Sequence, residues 1–314
     1  MKYAIISDIH GNLDALLAVL KDAEKFNVDK FIFVGDYCSS FGQPNEVVNT
    51  VRDIKNAVVV RGNEEDYIAE YANQDQNTWN DGQFQALYWL YKKLTESSHN
   101  YLRQLPSIVN FYDGSTCATV THKSSDIYGD IEYREFTSDR VAEKYQSNFK
   151  TRDKILQDIQ EYVRLDKDFN TAIEPLEDGV YIFGHTHVQW HAQYKDKIFI
   201  NPGSCGLPLD GIFDAPYTLL EIENKEISVI ERRVQYDIDK LANSLRNSDL
   251  YKAAPVWTGI ILDEIAFKFD LAEPFLAFAE NYANKIGDDI RPFTVNTWTD
   301  AFNAWKQSRK ESKP

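Results

Sequence analysis

Seven residues with metal-ligating side chains stand just beyond short apolar runs of this chain: Asp8, His10, Asp36, Asn63, His122, His185 and His187. Carboxylate oxygen and imidazole nitrogen suit hard or borderline divalent cations, and a site for two such ions needs a ligand able to bridge them. A carboxylate such as Asp36 can bridge, while the Asn63 amide oxygen adds a neutral ligand without further charge. Glycines at 11, 35, 62 and 184 let the backbone turn sharply beside these residues. Such a set would activate water and stabilise developing negative charge.

The elements that must position them follow from periodicity. Strand-like runs occupy residues 2–6, 30–34, 57–60, 116–120, 180–183 and 197–200. They end in turn in Asp8 and His10, Gly35 and Asp36, Gly62 and Asn63, His122, the Gly184–His187 segment, and Asn201–Ser204. Polar clusters at the carboxyl ends of strands are where α/β proteins bind ligands, so one site could collect all six. Leu13, Leu16, Leu17, Leu20 and Ala23 mark the face of one helix, and Val47, Val48, Val51 and Ile54 that of a second. Residues 68–105 are expected to form a helical insertion around Phe84, Leu87, Leu90, Tyr91 and Leu94, and residues 139–165 to be helical. Alternation over 216–222 and 226–234, separated by Asn224 and Lys225, predicts a hairpin. Beyond Tyr236 the strand signal stops, and 237–310 is expected to be helical with breaks at Pro255, Pro274 and Pro292.

Composition narrows the partners. A length of 314 residues with 43% hydrophobic content supports a real core. The net charge of −15, without clustered Lys or Arg, argues against a nucleic-acid polymer as partner. An anionic substrate would need local positive charge, which metal ions would supply. No apolar run is long enough to span a bilayer, and the opening MKYAIISDIHG has none of the regions of a secretion signal. With Cys38, Cys117 and Cys205 widely spaced, the expectation is a cytoplasmic protein with free thiols. His99 and His191 fall outside the ordered motifs and are read as ordinary surface or core residues; Cys38 and Cys205 are read as buried thiols. Asn201 and Ser204 stand in an NPGS segment that serves either chain reversal or the lining of the site.

In order along the chain, SDIHGN, Gly35–Asp36, RGNEED, Thr121–His122, GHTH and NPGS resemble the calcineurin-like metallophosphoesterase family over roughly residues 1–235. Each motif alone is weak, and all six in order are specific. The resemblance implies an α/β fold of two packed β-sheets flanked by helices over residues 1–236, with 237–314 as a helical C-terminal cap or oligomer contact. It implies two divalent or trivalent metal ions, manganese, iron or zinc. One would take Asp8, His10, Asp36 and His187, and the other Asp36, Asn63, His122 and His185, with Asp36, His10 and His187 as catalytic residues. The substrate class implied is a phosphorylated small molecule, a nucleotide in the leading reading.

GQPNEVV at 42–48 is similar to the branch holding small bacterial phosphodiesterases. The helical tail and the acidic residue after Asn63 look most similar to asymmetric diadenosine tetraphosphate hydrolases of streptococcal type. A general or cyclic-nucleotide phosphodiesterase is the second expectation, and a metal-binding scaffold without catalysis the third. Two departures bear on mechanism. Many members place a proton-donating His directly after the Asn ligand, where this chain has Glu64. Two nearby cations would keep such a carboxyl ionised, which favours substrates whose leaving groups need no proton. Protein phosphatases and symmetric dinucleoside tetraphosphatases follow their Gly-Asp with a DRG segment; here Tyr37, Cys38, Ser39 and Ser40 follow Asp36, which argues against both.

Overall fold

The first strand, β1 (Lys2–Ile6), is buried along all but its first residue, as a strand covered on both faces must be. In the computed structural model, which describes residues 1–129, 137–145, 152–223 and 226–311, β1 pairs in parallel with β2 (Lys30–Val34), and β2 with β3 (Ala57–Val60). The second set is β4 (Ile108–Asp113), β5 (Thr116–Thr121), β6 (Gly179–Ile182), β7 (Gln189–Tyr194) and β8 (Lys197–Pro202), followed by β9 (Ala215–Glu223) and β10 (Glu226–Val234). They form two five-stranded mixed sheets, ordered β10-β9-β1-β2-β3 and β4-β5-β6-β8-β7. In each sheet the three parallel strands are those whose ends carry the polar clusters.

Ile5, Ile32, Val34 and Val60 from one sheet meet Val120, Val180, Ile182 and Ile200 from the other in a single buried cluster, so the sheets pack face to face. Helices close the outer faces. Leu13–Ala23, capped by the Asn12 side chain on the Ala15 N–H, and Pro44–Asp53 cover the first sheet. The predicted insertion joins that layer, with Ile68, Leu90, Leu94 and Leu102 buried against Leu16, Val47 and Val51. Arg152–Leu165 and Lys167–Ile173 cover the second sheet through Ile155, Ile159, Val163 and Phe169. Of the helical reading over 139–165, residues 146–151 lie outside the described residues, as do hairpin residues 224 and 225.

Two strands were not anticipated. β4 and β7 are antiparallel edge strands, and β4 alternates between exposed and half-buried residues, so neither shows the continuous apolar run of a doubly covered strand. The C-terminal region is helical at Ile238–Arg246, Asp249–Ala253, Pro255–Phe267, Ala272–Ile286 and Val295–Glu311. Pro255 and Pro292 stand at breaks, but Pro274 lies in the first turn of Ala272–Ile286, where a missing N–H removes no helical bond. The break falls earlier, where Lys268 takes a left-handed φ of 63°. Leu241, Leu245, Leu250, Ile261 and Ile265 share a cluster with Phe41, Leu207, Leu209 and Phe213, so the tail packs on the loops that leave the strands.

Candidate metal centre

All seven sequence-predicted residues lie at the carboxyl ends of the parallel strands: Asp8 and His10 beyond β1, Asp36 beyond β2, Asn63 beyond β3, His122 beyond β5, His185 and His187 beyond β6. Asp8, His10, Asp36, His185 and His187 have φ between 52° and 71°, the left-handed region that residues other than glycine enter only when their surroundings hold them there. The surroundings are the other loops. The Asp8 and His10 N–H groups donate to the Gly35 and Asp36 carbonyls at 3.1 and 3.0 Å, and the Gly184 N–H to the His122 carbonyl at 3.0 Å. Glycine is required where the loops approach most closely. A Cβ on Gly62 would stand 2.1 Å from Asp36 Oδ1, and one on Gly184 would stand 2.0 Å from Ser7 Oγ and 2.5 Å from Asp8 Oδ2.

The side chains gather into two facing groups. Asp8, His10 and His187 bring ligand atoms within 4.8 Å of one another, and so do Asp36, His122 and His185. Asn63 Oδ1 stands 3.1 Å from His122 Nε2, on the second group's side. The rings are aimed from behind: His122 Nδ1–H donates to the Val34 carbonyl at 2.6 Å and His187 Nδ1–H to the Leu207 carbonyl at 2.9 Å. Each bond leaves Nε2 facing the cluster, the arrangement that orients imidazole ligands. His10 does the same through Nδ1 and the Ser39 hydroxyl at 2.7 Å. His10, His122, Asp8 and Asp36 are almost wholly buried, whereas His185 is exposed to solvent.

The group has an electrostatic deficit that a cation would fill. Among the described residues Asp8 Oδ1 is buried without a hydrogen-bond partner, yet the Nε2 atoms of His187, His10 and His122 lie 3.4, 3.9 and 3.9 Å from it. The Nε2 atoms of His10 and His187 are only 2.9 Å apart. Burial disfavours a charged ring throughout, but the Asp36 and Asp8 carboxylates override it at His122 and carry that ring to about 10. Burial is likewise overridden at His187 by the Asp8 carboxylate, which raises it. Burial and the neighbouring His187 instead bring His10 to about 4, and burial and His122 bring His185 to about 4. The two carboxylates thus favour a positive charge at His122 and His187, the charge that an entering cation would supply in place of protons. The residues present fit a metal centre.

Other site features had little or no signal in the sequence. Ser39 had none. Glu65 stands at the third position of the helix Asn63–Tyr71, a capping position, and accepts the Asp36, Tyr37 and Gly62 N–H groups at 2.9, 3.0 and 2.8 Å, tying the β2 loop to the β3 loop. Asn201 holds the GHTH loop by donating to the Gly184 carbonyl and Thr186 hydroxyl at 2.9 and 3.0 Å, and Ser204 donates to the Asp8 carbonyl at 2.7 Å. Both brace the ligand loops. His99 and His191 lie elsewhere, bonded to the Tyr91 carbonyl and to Glu231. Burial, then the Asp36 carboxylate, pushes Glu64 well above the usual carboxylate range, and its Oε2 is buried without a hydrogen-bond partner among the described residues.

The chain is 27% identical over 271 residues to an uncharacterized protein of Methanocaldococcus jannaschii, a match spanning 82% of this chain and 95% of that one. A metallophosphoesterase from Sphaerobacter thermophilus superposes with a TM-score of 0.58 at 25% identity, over 85% of this chain and 100% of its own. A hypothetical protein from Pyrococcus horikoshii OT3 shares the fold with a TM-score of 0.58 at 20% identity, over 83% and 97%. The calcineurin-like phosphoesterase superfamily domain model matches residues 1–225, and with the strand-end cluster described above this places the chain in that superfamily.

Proposed function

We propose that this chain is a two-metal hydrolase of phosphodiester or phosphoanhydride bonds in nucleotides, with asymmetric cleavage of diadenosine tetraphosphate as its leading reaction. The observation that carries the reading is the buried Asp8 Oδ1, without a hydrogen-bond partner among the described residues and ringed by imidazole nitrogens on a strand-end scaffold. Asp8, His10, Asp36 and His187 would hold one ion, and Asp36, Asn63, His122 and His185 the other. When bound, the ions would neutralise phosphoryl oxygens and make a water acidic enough to serve as nucleophile near neutral pH. The chain contributes orientation. The Val34 and Leu207 carbonyls and the Ser39 hydroxyl fix three rings, and Glu65 fixes the turn that carries Asp36. His185, on the exposed side, stands where substrate would arrive.

The tail approaches this rim. The Gly211 N–H donates to the Lys268 carbonyl at 2.9 Å, and Asp270 lies near enough to help raise His187. Among the described residues, no helix is long and apolar enough to cross a membrane. Position 64 supports anhydride substrates, because no imidazole stands there to protonate a poor leaving group, and phosphate leaving groups tolerate that loss.

A nucleotide panel with product identification in the presence of manganese tests the reading. ATP plus AMP from diadenosine tetraphosphate is the expected result. Turnover of cyclic nucleotides alone would favour the general phosphodiesterase. Metal binding without turnover of any diester, including bis-p-nitrophenyl phosphate, would make the chain a scaffold.

A further inference from the structure

We infer that Glu64 is itself a ligand of the metal centre, an eighth side chain beyond the seven that the motifs supply, completing a His10–Asp36–Glu64 face toward one divalent cation. The inference rests on reading the cluster as a metal centre. Three independent features point to it. A Glu64 carboxylate oxygen, an Asp36 carboxylate oxygen and a His10 ring nitrogen all lie within 4.8 Å of one another. Glu64 Oε2 is buried and has no hydrogen-bond partner among the described residues, a costly state for a carboxylate oxygen that a cation would relieve. The backbone is pinned to the same ligand set, because the Glu64 N–H donates to Asp36 Oδ1 at 2.9 Å.

The neighbouring acid shows by contrast what a structural role looks like at this turn. Glu65 spends both carboxylate oxygens on three backbone N–H groups and has none aimed at the cluster. Beside the Glu64 carboxylate stands the Ser39 hydroxyl, which also meets His10 Nδ1 at 2.7 Å, so one small side chain lies next to two members of the proposed face. A third carboxylate adds charge and a hard oxygen to a site otherwise rich in imidazole. That shifts relative preference from zinc toward manganese or iron. It also removes Glu64 as proton donor, since a ligating carboxylate is ionised.

The test is activity-free. Metal-stripped full-length protein is titrated with manganous chloride, and free ion is followed by its electron paramagnetic resonance signal. Wild-type protein is expected to take up two ions. Glu64→Gln, which keeps shape and removes the charge, should weaken one ion by at least about tenfold while leaving the other within about twofold. Thermal melts of the metal-free proteins should show Glu64→Gln no less stable than wild type, since an unpaired buried carboxylate has gone. If that variant fails to fold, Glu64→His carries the test: an imidazole there should retain two ions and raise the zinc-to-manganese affinity ratio. Two ions bound to Glu64→Gln with wild-type affinity, or an unchanged affinity ratio in Glu64→His, would overturn the inference and leave the metal centre standing. Failure of wild-type protein to bind manganese, iron or zinc would overturn the metal centre itself.

Discussion

Asp8 and Asp210 are both carboxylates with no exposed surface, and among the described residues each leaves Oδ1 without a hydrogen-bond partner. Their neighbours differ. Asp210 Oδ2 receives Arg152 Nη1 at 2.6 Å, Arg233 Nη2, and the Gln189 N–H at 3.1 Å, and the two guanidinium groups outweigh the burial that would otherwise raise its pKa. Asp8 receives one backbone bond, from the His185 N–H at 3.1 Å, and faces imidazole rings in place of guanidinium groups. Arginine cannot yield its proton to make room for a metal, and imidazole can. The Asp210 charge is therefore balanced within the chain and acts as a brace. The Asp8 charge is left for a cation to balance, and that makes its surroundings a candidate site.

The sharpest way to break the comparison is on the site's side. Asp36 gathers with His122 and His185 and also with His10 and Glu64, and it is the ligand proposed to serve both ions, so Asp36→Ala should lower turnover by well over about 100-fold, beyond what loss of an outer-shell partner costs. Manganese should stabilise wild-type protein against heat and leave the variant unmoved, because only a folded state that binds ligand gains from it. Wild-type turnover in the variant would remove Asp36 from the chemistry.

On the brace side the expectation reverses. Arg233→Ala leaves Asp210 buried with one guanidinium partner fewer and frees the Gln189 Oε1 that Arg233 Nε bonds at 3.0 Å, so it should cost about 3 to 5 kcal/mol in urea unfolding of metal-free protein. Such a cost has nothing to do with metal: the manganese-induced gain in stability should survive wherever the variant folds. A stability loss below about 1 kcal/mol, the range of an exposed ion pair, would mean that the network is solvated.

This comparison also explains what the sequence could disclose. The candidate site was legible because each proposed ligand lies within five residues of the end of the strand before it, and the strand and its polar cluster are read together as one local pattern. The two sheets were legible for a related reason, since doubly covered parallel strands are continuous apolar runs. The brace was not. Asp210 meets Arg152 and Arg233, which stand 58 and 23 residues away, and nothing local marks two arginines as partners of one aspartate. The edge strands β4 and β7 and the role of Ser39 were hidden likewise, because their meaning is set by what tertiary contact brings alongside.

A third carboxylate sharpens the rule at smaller scale. Asp22 is 5% exposed, and burial would raise its pKa, but bonds from Arg232, Lys25 and Tyr217 outweigh that and bring it to about 2. The folded value lies below the ordinary unfolded value of about 3.9, so the carboxylate stabilises the fold above that pH and the contribution fades as pH falls toward about 2. Asp22→Asn should therefore cost about 1 to 2 kcal/mol at neutral pH, allowing for solvent screening of Lys25 and Arg232, and the difference from wild type should vanish in acid. A pH-independent difference would assign the effect to hydrogen bonding alone.

The smallest expected effect lies where brace and site meet. Ser204 Oγ donates to the Asp8 carbonyl at 2.7 Å and accepts the Leu207 N–H at 2.8 Å, while the Leu207 carbonyl accepts His187 Nδ1–H at 2.9 Å. One buried hydroxyl thus links the loop of one proposed ligand to the carbonyl that aims another. In Ser204→Ala the Asp8 carbonyl keeps the Gly206 N–H at 3.0 Å, and only the Leu207 N–H is orphaned, so the loss of stability should be about 1 kcal/mol. If the Leu207 carbonyl then drifts, His187 loses its fixed orientation, and manganese affinity should fall by about tenfold, as for other outer-shell partners. The two readouts separate the roles. Metal-free urea unfolding reports the lost bond, and a manganese titration reports the lost aim. A variant that loses the stability but keeps the affinity would show that His187 is held by its own left-handed backbone, φ 58°, and that the chain from Ser204 through Leu207 serves folding only.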